Sequence, residues 1–145
     1  MKLLIKNTTI VTVNDQDQVL EHADLAVSGK NIVGVGKAPL EFIPDRVIDG
    51  KGKLVMPGLI NAHTHLSMTL MRNYADDLPF SDWLFKKIKP LEDHLLPEDV
   101  RFGAKLGIAE MIRGGTTCFH DMYFFMDAVA SEVESSGIRV RQARI

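Results

Sequence analysis

Hydrophobic and polar positions divide the chain into two textures. Residues 1–56 are short runs of Val, Ile and Leu broken by turn residues, the pattern of a β-rich segment. Leu3–Ile5 and Thr8–Val13 read as strands, with Asn14-Asp15-Gln16-Asp17 as the following turn. Leu25–Val27 and Ile32–Val35 flank Ser28-Gly29-Lys30-Asn31, where glycine can supply a positive φ, so a hairpin is expected. Val47–Ile48 and Leu54–Met56 flank a further turn, Asp49-Gly50-Lys51-Gly52.

From Pro57 onward the period changes. Leu59–His65 is a short apolar strand that ends in polar residues. Ser81-Asp82 can cap a helix carrying Trp83, Leu84, Phe85 and Ile88, with Pro90 expected to end it. A clearer helix begins at Leu96-Pro97-Glu98-Asp99, where proline suits the first turn and the acids face the positive end of the helix dipole. Val100, Ala104, Ile108, Met111 and Ile112 keep helical spacing until Gly114-Gly115. Thr116–Asp121 then reads as a strand, Asp127–Ser136 as a helix stopped by Gly137, and Ile138–Arg144 as another strand. Strand and helix in alternation predict βα units on a parallel sheet, an α/β class. The expected boundary lies between residues 1–56 and 57–145.

Composition acts mainly by exclusion. The 145 residues are 46% hydrophobic and 25% charged, which argues against disorder. Seventeen Lys+Arg against 19 Asp+Glu leave a net charge of −2, without the basic surplus of a nucleic-acid binder. One cysteine, Cys118, excludes an internal disulfide and every zinc motif built on two thiolates, and it fits a reducing compartment. Met1-Lys2-Leu3-Leu4-Ile5-Lys6 stops short of a signal peptide's apolar run, and no stretch is long enough to span a membrane. A cytoplasmic protein with no membrane partner is expected.

The strongest chemical signal is Asn61-Ala62-His63-Thr64-His65, directly after Pro57-Gly58-Leu59-Ile60. Residues i and i+2 of a strand share a face, so His63 and His65 are expected to present their imidazoles side by side. Two neutral imidazoles suit zinc, and iron accepts the same ligands. At the C-terminal end of a parallel strand they stand where α/β barrels keep their chemistry. Two histidines in a polar turn would be the plain alternative. The other histidines are less telling. His22, beside Glu21, reads as a surface residue; His94 is open between solvent and a substrate side. His120 could point into the same mouth or be a half-buried structural histidine.

The run Pro57–His65 resembles the first barrel strand of the amidohydrolase superfamily. Its continuation narrows the likeness: Leu66-Ser67-Met68-Thr69-Leu70-Met71-Arg72, Asp76-Asp77-Leu78-Pro79-Phe80, Asp82-Trp83-Leu84, Gly107-Ile108-Ala109-Glu110-Met111, and Gly114-Gly115-Thr116-Thr117-Cys118-Phe119 with Asp121-Met122-Tyr123. With these the chain is similar to the 5′-methylthioadenosine/S-adenosylhomocysteine deaminases, and further off to triazine chlorohydrolases and guanine deaminases. The resemblance implies the N-terminal part of a metal-dependent hydrolase: a small β-sandwich segment, then the first units of a (β/α)₈ barrel that is incomplete in this chain. It implies one divalent metal ion, zinc or else iron, with His63 and His65 as ligands. It further implies Glu92 against the ribose hydroxyls of a small nucleoside, with Arg144 and Trp83 on the substrate side. His120 departs from the small residue expected before Asp121.

The resemblance implies no catalytic residue in this chain, since it places the family's third metal histidine, catalytic glutamate, further substrate histidine and metal aspartate on later strands. A full barrel takes about 250 residues. The implied activity is hydrolytic deamination by the intact parent, with the present chain inactive alone. Changing the leaving group, to chloride from a triazine or ammonia from guanine, gives a second reading. A non-catalytic β and βα module is the third. Three βα strands leave a raw parallel edge, so self-association or a complementing chain is expected.

Overall fold

The computed structural model describes residues 1–144, and the chain divides into two units, Met1–Pro57 and Gly58–Ile145. Among the described residues the first unit is one five-stranded sheet. β1 (Lys2–Val11) pairs antiparallel with β2 (Val19–Ser28), which pairs antiparallel with β3 (Asn31–Gly36). β4 (Arg46–Asp49) and β5 (Leu54–Val55) add to β1 in parallel. The β2–β3 reversal is a two-residue hairpin with Gly29 at φ +60°. Leu3–Ile5 and Thr8–Val13, which read as separate strands, run as one. The register instead slips between Ile5 and Thr8, where Asn7 takes a φ of 55°. A bulge thus absorbs the polar Lys6-Asn7 pair without ending the strand. Its geometry is held by the Asn7 amide donating to Asp24 Oδ1 at 3.0 Å and by His22 Nδ1 meeting Asn7 Oδ1 at 3.0 Å. Ile10, Ala23 and Leu25 form a small core.

The second unit is built on three parallel strands in the order β6-β7-β8: β6 (Leu59–Thr64), β7 (Thr116–Tyr123) and β8 (Arg139–Arg144). From β6 the chain passes through a 3₁₀ helix (Leu66–Met71), α1 (Phe80–Asp82), a π-helical stretch (Trp83–Ile88), α2 (Lys89–Glu92) and α3 (Pro97–Arg113) to β7. α4 (Met126–Ser136) links β7 to β8. Pro97 opens α3, and Asp99 accepts the Leu96 amide at 2.8 Å, satisfying a donor that the helix start leaves over. Gly115 at φ +84° and Gly137 at φ +76° turn the chain out of α3 and α4 into the next strands.

Alternation along β7 sorts the two sheet faces. Phe119, Asp121 and Tyr123 are buried, whereas His120 and Met122 are exposed. The buried face packs on α3 and α4 through Val100, Ala104, Ile108, Val129 and Val133, with Leu66 of the 3₁₀ helix in the same cluster. The other face is open among the described residues and carries Ile60, Met122, Arg139 and Arg141 as exposed side chains.

Two expectations before α3 are corrected. Ser81 and Asp82 do not cap the helix: it starts at Phe80, after Pro79 with φ −54° and ψ 143°, and the Pro79 carbonyl accepts the Trp83 amide at 2.9 Å. Proline thus presets the start, and Asp82 pairs with Lys86 at 2.8 Å instead. Nor does Pro90 end the helix. The turn before it widens, with Lys89 N–H donating to the Leu84 carbonyl, and helical structure continues to Glu92. A π turn re-aims the carbonyls that a proline ring would strike in a regular helix.

Candidate functional site

β6 ends at Thr64, and His65 sits where the strand gives way to the 3₁₀ helix, with φ −115° and ψ 76°. His63 and His65 do lie together, 5.0 Å between ring centroids, yet their planes cross at 81° rather than standing as parallel strand neighbours. The turn at His65 breaks the alternation, and the Met122 carbonyl of β7 captures His65 Nδ1 at 2.7 Å. A carbonyl can only accept, so Nδ1 carries the proton and Nε2 of the neutral ring keeps its lone pair for a ligand.

These residues fit a divalent cation. Two imidazoles on one ion at about 2.0–2.1 Å place their centroids about 5 Å apart, the separation that this pair shows. Metal-bound histidines ordinarily donate their other ring N–H to a carbonyl or carboxylate, as His65 does to Met122. Among the described residues no group of three or more His, Cys, Asp or Glu side chains assembles, so the chain offers a pair and not a full coordination sphere. His120 stands exposed on the open sheet face in register with Arg141. His94 donates through Nδ1 to the Pro90 carbonyl at 2.8 Å, and His22 belongs to the first unit.

A cavity of ≈ 380 Å³ opens beside His65, and Met68, Phe80, Trp83, Ile88, Glu92 and Tyr123 are among the residues that line it. Trp83 comes from the π-helical stretch and lies 6.0 Å from Phe80, centroid to centroid. Glu92 stands at the end of α2, where its Oε1 accepts the Tyr123 hydroxyl at 2.8 Å. Burial first, and then the Glu92 and Asp121 carboxylates, push the Tyr123 hydroxyl far above its ordinary range, so it stays a donor. His65, Trp83 and Glu92, singled out in the sequence, therefore share one cavity. Arg144 is not part of its lining. It aligns with Tyr123 across the sheet, at the same strand end, but its guanidinium pairs with Asp127 of α4 at 2.6 Å, and both side chains are exposed.

Three supporting residues escaped the sequence reading. Tyr123 holds Glu92, the Met122 carbonyl holds the His65 ring, and Asp121 Oδ1 accepts the Leu66 amide at 2.8 Å. Burial pushes the Asp121 carboxyl up, opposed by the Leu66 and Met122 amides and by His65 and His120. The available signal was the alternation Phe-x-Asp-x-Tyr: a carboxylate at an apolar position of a buried strand requires a partner.

Known proteins supply the comparison. The chain is 50% identical over 147 residues to a 5-methylthioadenosine/S-adenosylhomocysteine deaminase of Acetivibrio thermocellus, an alignment covering 99% of this chain and 34% of that protein. Among solved structures it superposes on an adenosine deaminase from Xanthomonas campestris with bound zinc, with a TM-score of 0.88 and 43% identity over 95% of this chain and 32% of the other. An atrazine chlorohydrolase from Arthrobacter aurescens TC1 complexed with zinc gives 0.87 and 30%, over 98% and 35%. The chain thus spans about a third of the length of the relatives that it matches. The family model described as the amidohydrolase family matches residues 54–143, which take in both histidines, Trp83 and Glu92, and the chain belongs to that family.

Proposed function

We propose that this chain is the N-terminal, metal-gripping part of a hydrolytic deaminase acting on a small purine nucleoside of the 5′-methylthioadenosine, S-adenosylhomocysteine or adenosine kind. The observation that carries this reading is the His63–His65 pair, with centroids 5.0 Å apart and the His65 Nδ1 tied to a carbonyl. When bound, a divalent cation, zinc in this reading, supplies Lewis acidity and activates water near neutral pH. The chain's own residues bind and orient. His63 and His65 hold the ion. Glu92 keeps Oε1 on Tyr123 and turns its other oxygen to the ribose hydroxyls. Trp83 offers an aromatic face to the ligand's apolar part. Arg144 acts as a substrate-side cation by exchanging its exposed Asp127 partner, a pair of the kind that contributes only about 0–1 kcal/mol.

No proton-transfer group is assigned to these residues. The open sheet face supports association with further barrel strands, supplied by the same polypeptide or by a complementing chain. Among the described residues no helix is long and apolar enough to cross a membrane. The single cysteine supports a reducing, cytoplasmic setting.

The test combines metal and turnover. Zinc added to the chain should shift both imidazoles together in NMR spectra, and His63→Ala or His65→Ala should abolish the effect. Coexpressed with the C-terminal two thirds of the Acetivibrio thermocellus relative, the chain should release ammonia from 5′-methylthioadenosine. Zinc that perturbs one ring alone, or neither, sinks the metal reading. Chloride release from a triazine without ammonia release from the nucleoside sinks the substrate reading.

A further inference from the structure

We infer that Asp121 is a positioning residue for the metal ligand His65, fixing the backbone turn from which that imidazole projects. The inference rests on the reading of His65 as a ligand. Its geometry is a two-point clamp in which adjacent residues of β7 hold adjacent residues of the β6 exit. Asp121 Oδ1 accepts the Leu66 amide at 2.8 Å, and the Met122 carbonyl accepts His65 Nδ1–H at 2.7 Å. The ring bond alone would leave the imidazole free to swing about the His65 backbone. The carboxylate bond removes that freedom, because Leu66 is the first residue of the 3₁₀ helix and its amide has no partner within the helix.

A purely structural role accounts poorly for a carboxylate here. Asp121 is 0% exposed between Phe119 and Tyr123, and its Oδ2 is buried without a hydrogen-bond partner among the described residues. A buried, half-satisfied carboxylate costs stability, and an apolar residue of similar size would pack at least as well. On the neighbouring strand Gln142 stands in register with Asp121, and its Nε2 is likewise buried without a partner. The two strands therefore keep two buried polar atoms, Asp121 Oδ2 and Gln142 Nε2, that no hydrogen bond among the described residues uses. Retaining that cost is explained if the acceptor at Leu66 sets where His65 points.

The test uses the 145-residue chain and reads the His65 tautomer by long-range ¹⁵N–¹H NMR without metal, then zinc affinity by competition with a chromophoric chelator. The native chain should show the Nδ1–H tautomer of His65. Asp121→Asn retains an acceptor oxygen and should keep both that tautomer and the zinc affinity. Asp121→Ala should mix the tautomers and weaken zinc about 10–100-fold, the usual effect of losing an outer-shell partner. Should D121A fail to fold, Asp121→Leu fills the apolar surroundings without an acceptor and should show the same two changes. A folded D121A or D121L with native tautomer and zinc affinity overturns the inference, whatever its melting temperature. So does an Nε2–H tautomer in the native chain. If the native chain binds no zinc, the metal reading fails, and the tautomer populations alone still decide whether Asp121 positions the ring.

Discussion

Replacing Gly103 by alanine should destabilise the second unit, although alanine is the better helix former. Gly103 lies in α3 against the 3₁₀ helix that follows His65. A Cβ built there would stand 2.9 Å from Ser67 Cα and 3.0 Å from its carbonyl carbon, with the carbonyl oxygen closer still. All three are backbone atoms, and ordinary contact begins at 3.4 Å, so one helix must retreat by about half an ångström or more. That retreat strains two bonds which bolt the helices together, Ser67 Oγ to the Val100 carbonyl at 2.8 Å and Thr69 Oγ1 to the Gly103 carbonyl at 2.7 Å. Overpacking costs about 1–3 kcal/mol, and each weakened bond puts about 1 kcal/mol at risk. Helix propensity returns about 0.8–1.0 kcal/mol. The net loss is about 2 kcal/mol, which lowers a urea midpoint by roughly 1 M at an m-value of about 2 kcal/mol/M. Gly114→Ala is the control, since its Cβ would meet the nearest atom, the Glu110 carbonyl oxygen, at 3.3 Å, where a small shift suffices. Urea unfolding followed by circular dichroism decides between the signs. A G103A chain as stable as the native one would refute the claim that steric contact sets the spacing of α3 and the 3₁₀ helix.

Tyr123→Phe should release Glu92 and flatten the alkaline limb of the stability curve. The folded chain holds the Tyr123 hydroxyl protonated far above its ordinary range, whereas the unfolded tyrosine ionises near about pH 10. The unfolded state therefore binds fewer protons above that pH, and native stability, full below it, falls as pH rises. Denaturation midpoints measured between neutral pH and the alkaline limit should show that decline in the native chain and less of it in Y123F; equal slopes count against the buried donor. Arg144→Ala should change the melting temperature little, because its partner Asp127 is exposed and such pairs contribute about 0–1 kcal/mol. A large drop would mean that the pair braces β8 against α4.

Much of the second unit was legible because its elements carry their own punctuation. Pro97 and Asp99 start α3, while Gly115 and Gly137 turn the chain at positive φ, and each acts within a few residues of its position in sequence. The 3₁₀ helix was not legible. Leu66, Ser67 and Met71 are buried without a helical apolar period, and what admits Leu66 and Ser67 is the small-residue groove of Gly107 and Gly103 on a helix more than thirty residues away. Pro90 misled for a related reason, since the widened turn that tolerates it leaves no local mark. At the site, the histidine pair was plain, but the crossing of its rings depends on a carbonyl of β7 that no reading of residues 59–65 could supply. Arg144 shows the converse: the strand end was placed correctly, and the side chain's partner came from α4.

These cases share a physical cause. Side chains on successive residues of a strand take opposite faces, while backbone carbonyls lie in the sheet plane, toward the neighbouring strand. β7 uses its buried face and the sheet plane within Asp121-Met122-Tyr123. Asp121 reaches the turn after β6, the Met122 carbonyl takes the His65 ring, and Tyr123 reaches Glu92 at the end of α2. The metal-facing and sugar-facing groups of the proposed site thus hang from one rigid strand, although their own residues lie in a turn and at a helix end. Supports on regular elements hold a constellation more tightly than loops do. It follows that the relative placement of His65 and Glu92 is set by the central strand of the β6-β7-β8 sheet, and that Arg144, on the neighbouring strand with an exchangeable partner, is the member of the proposed site free to move.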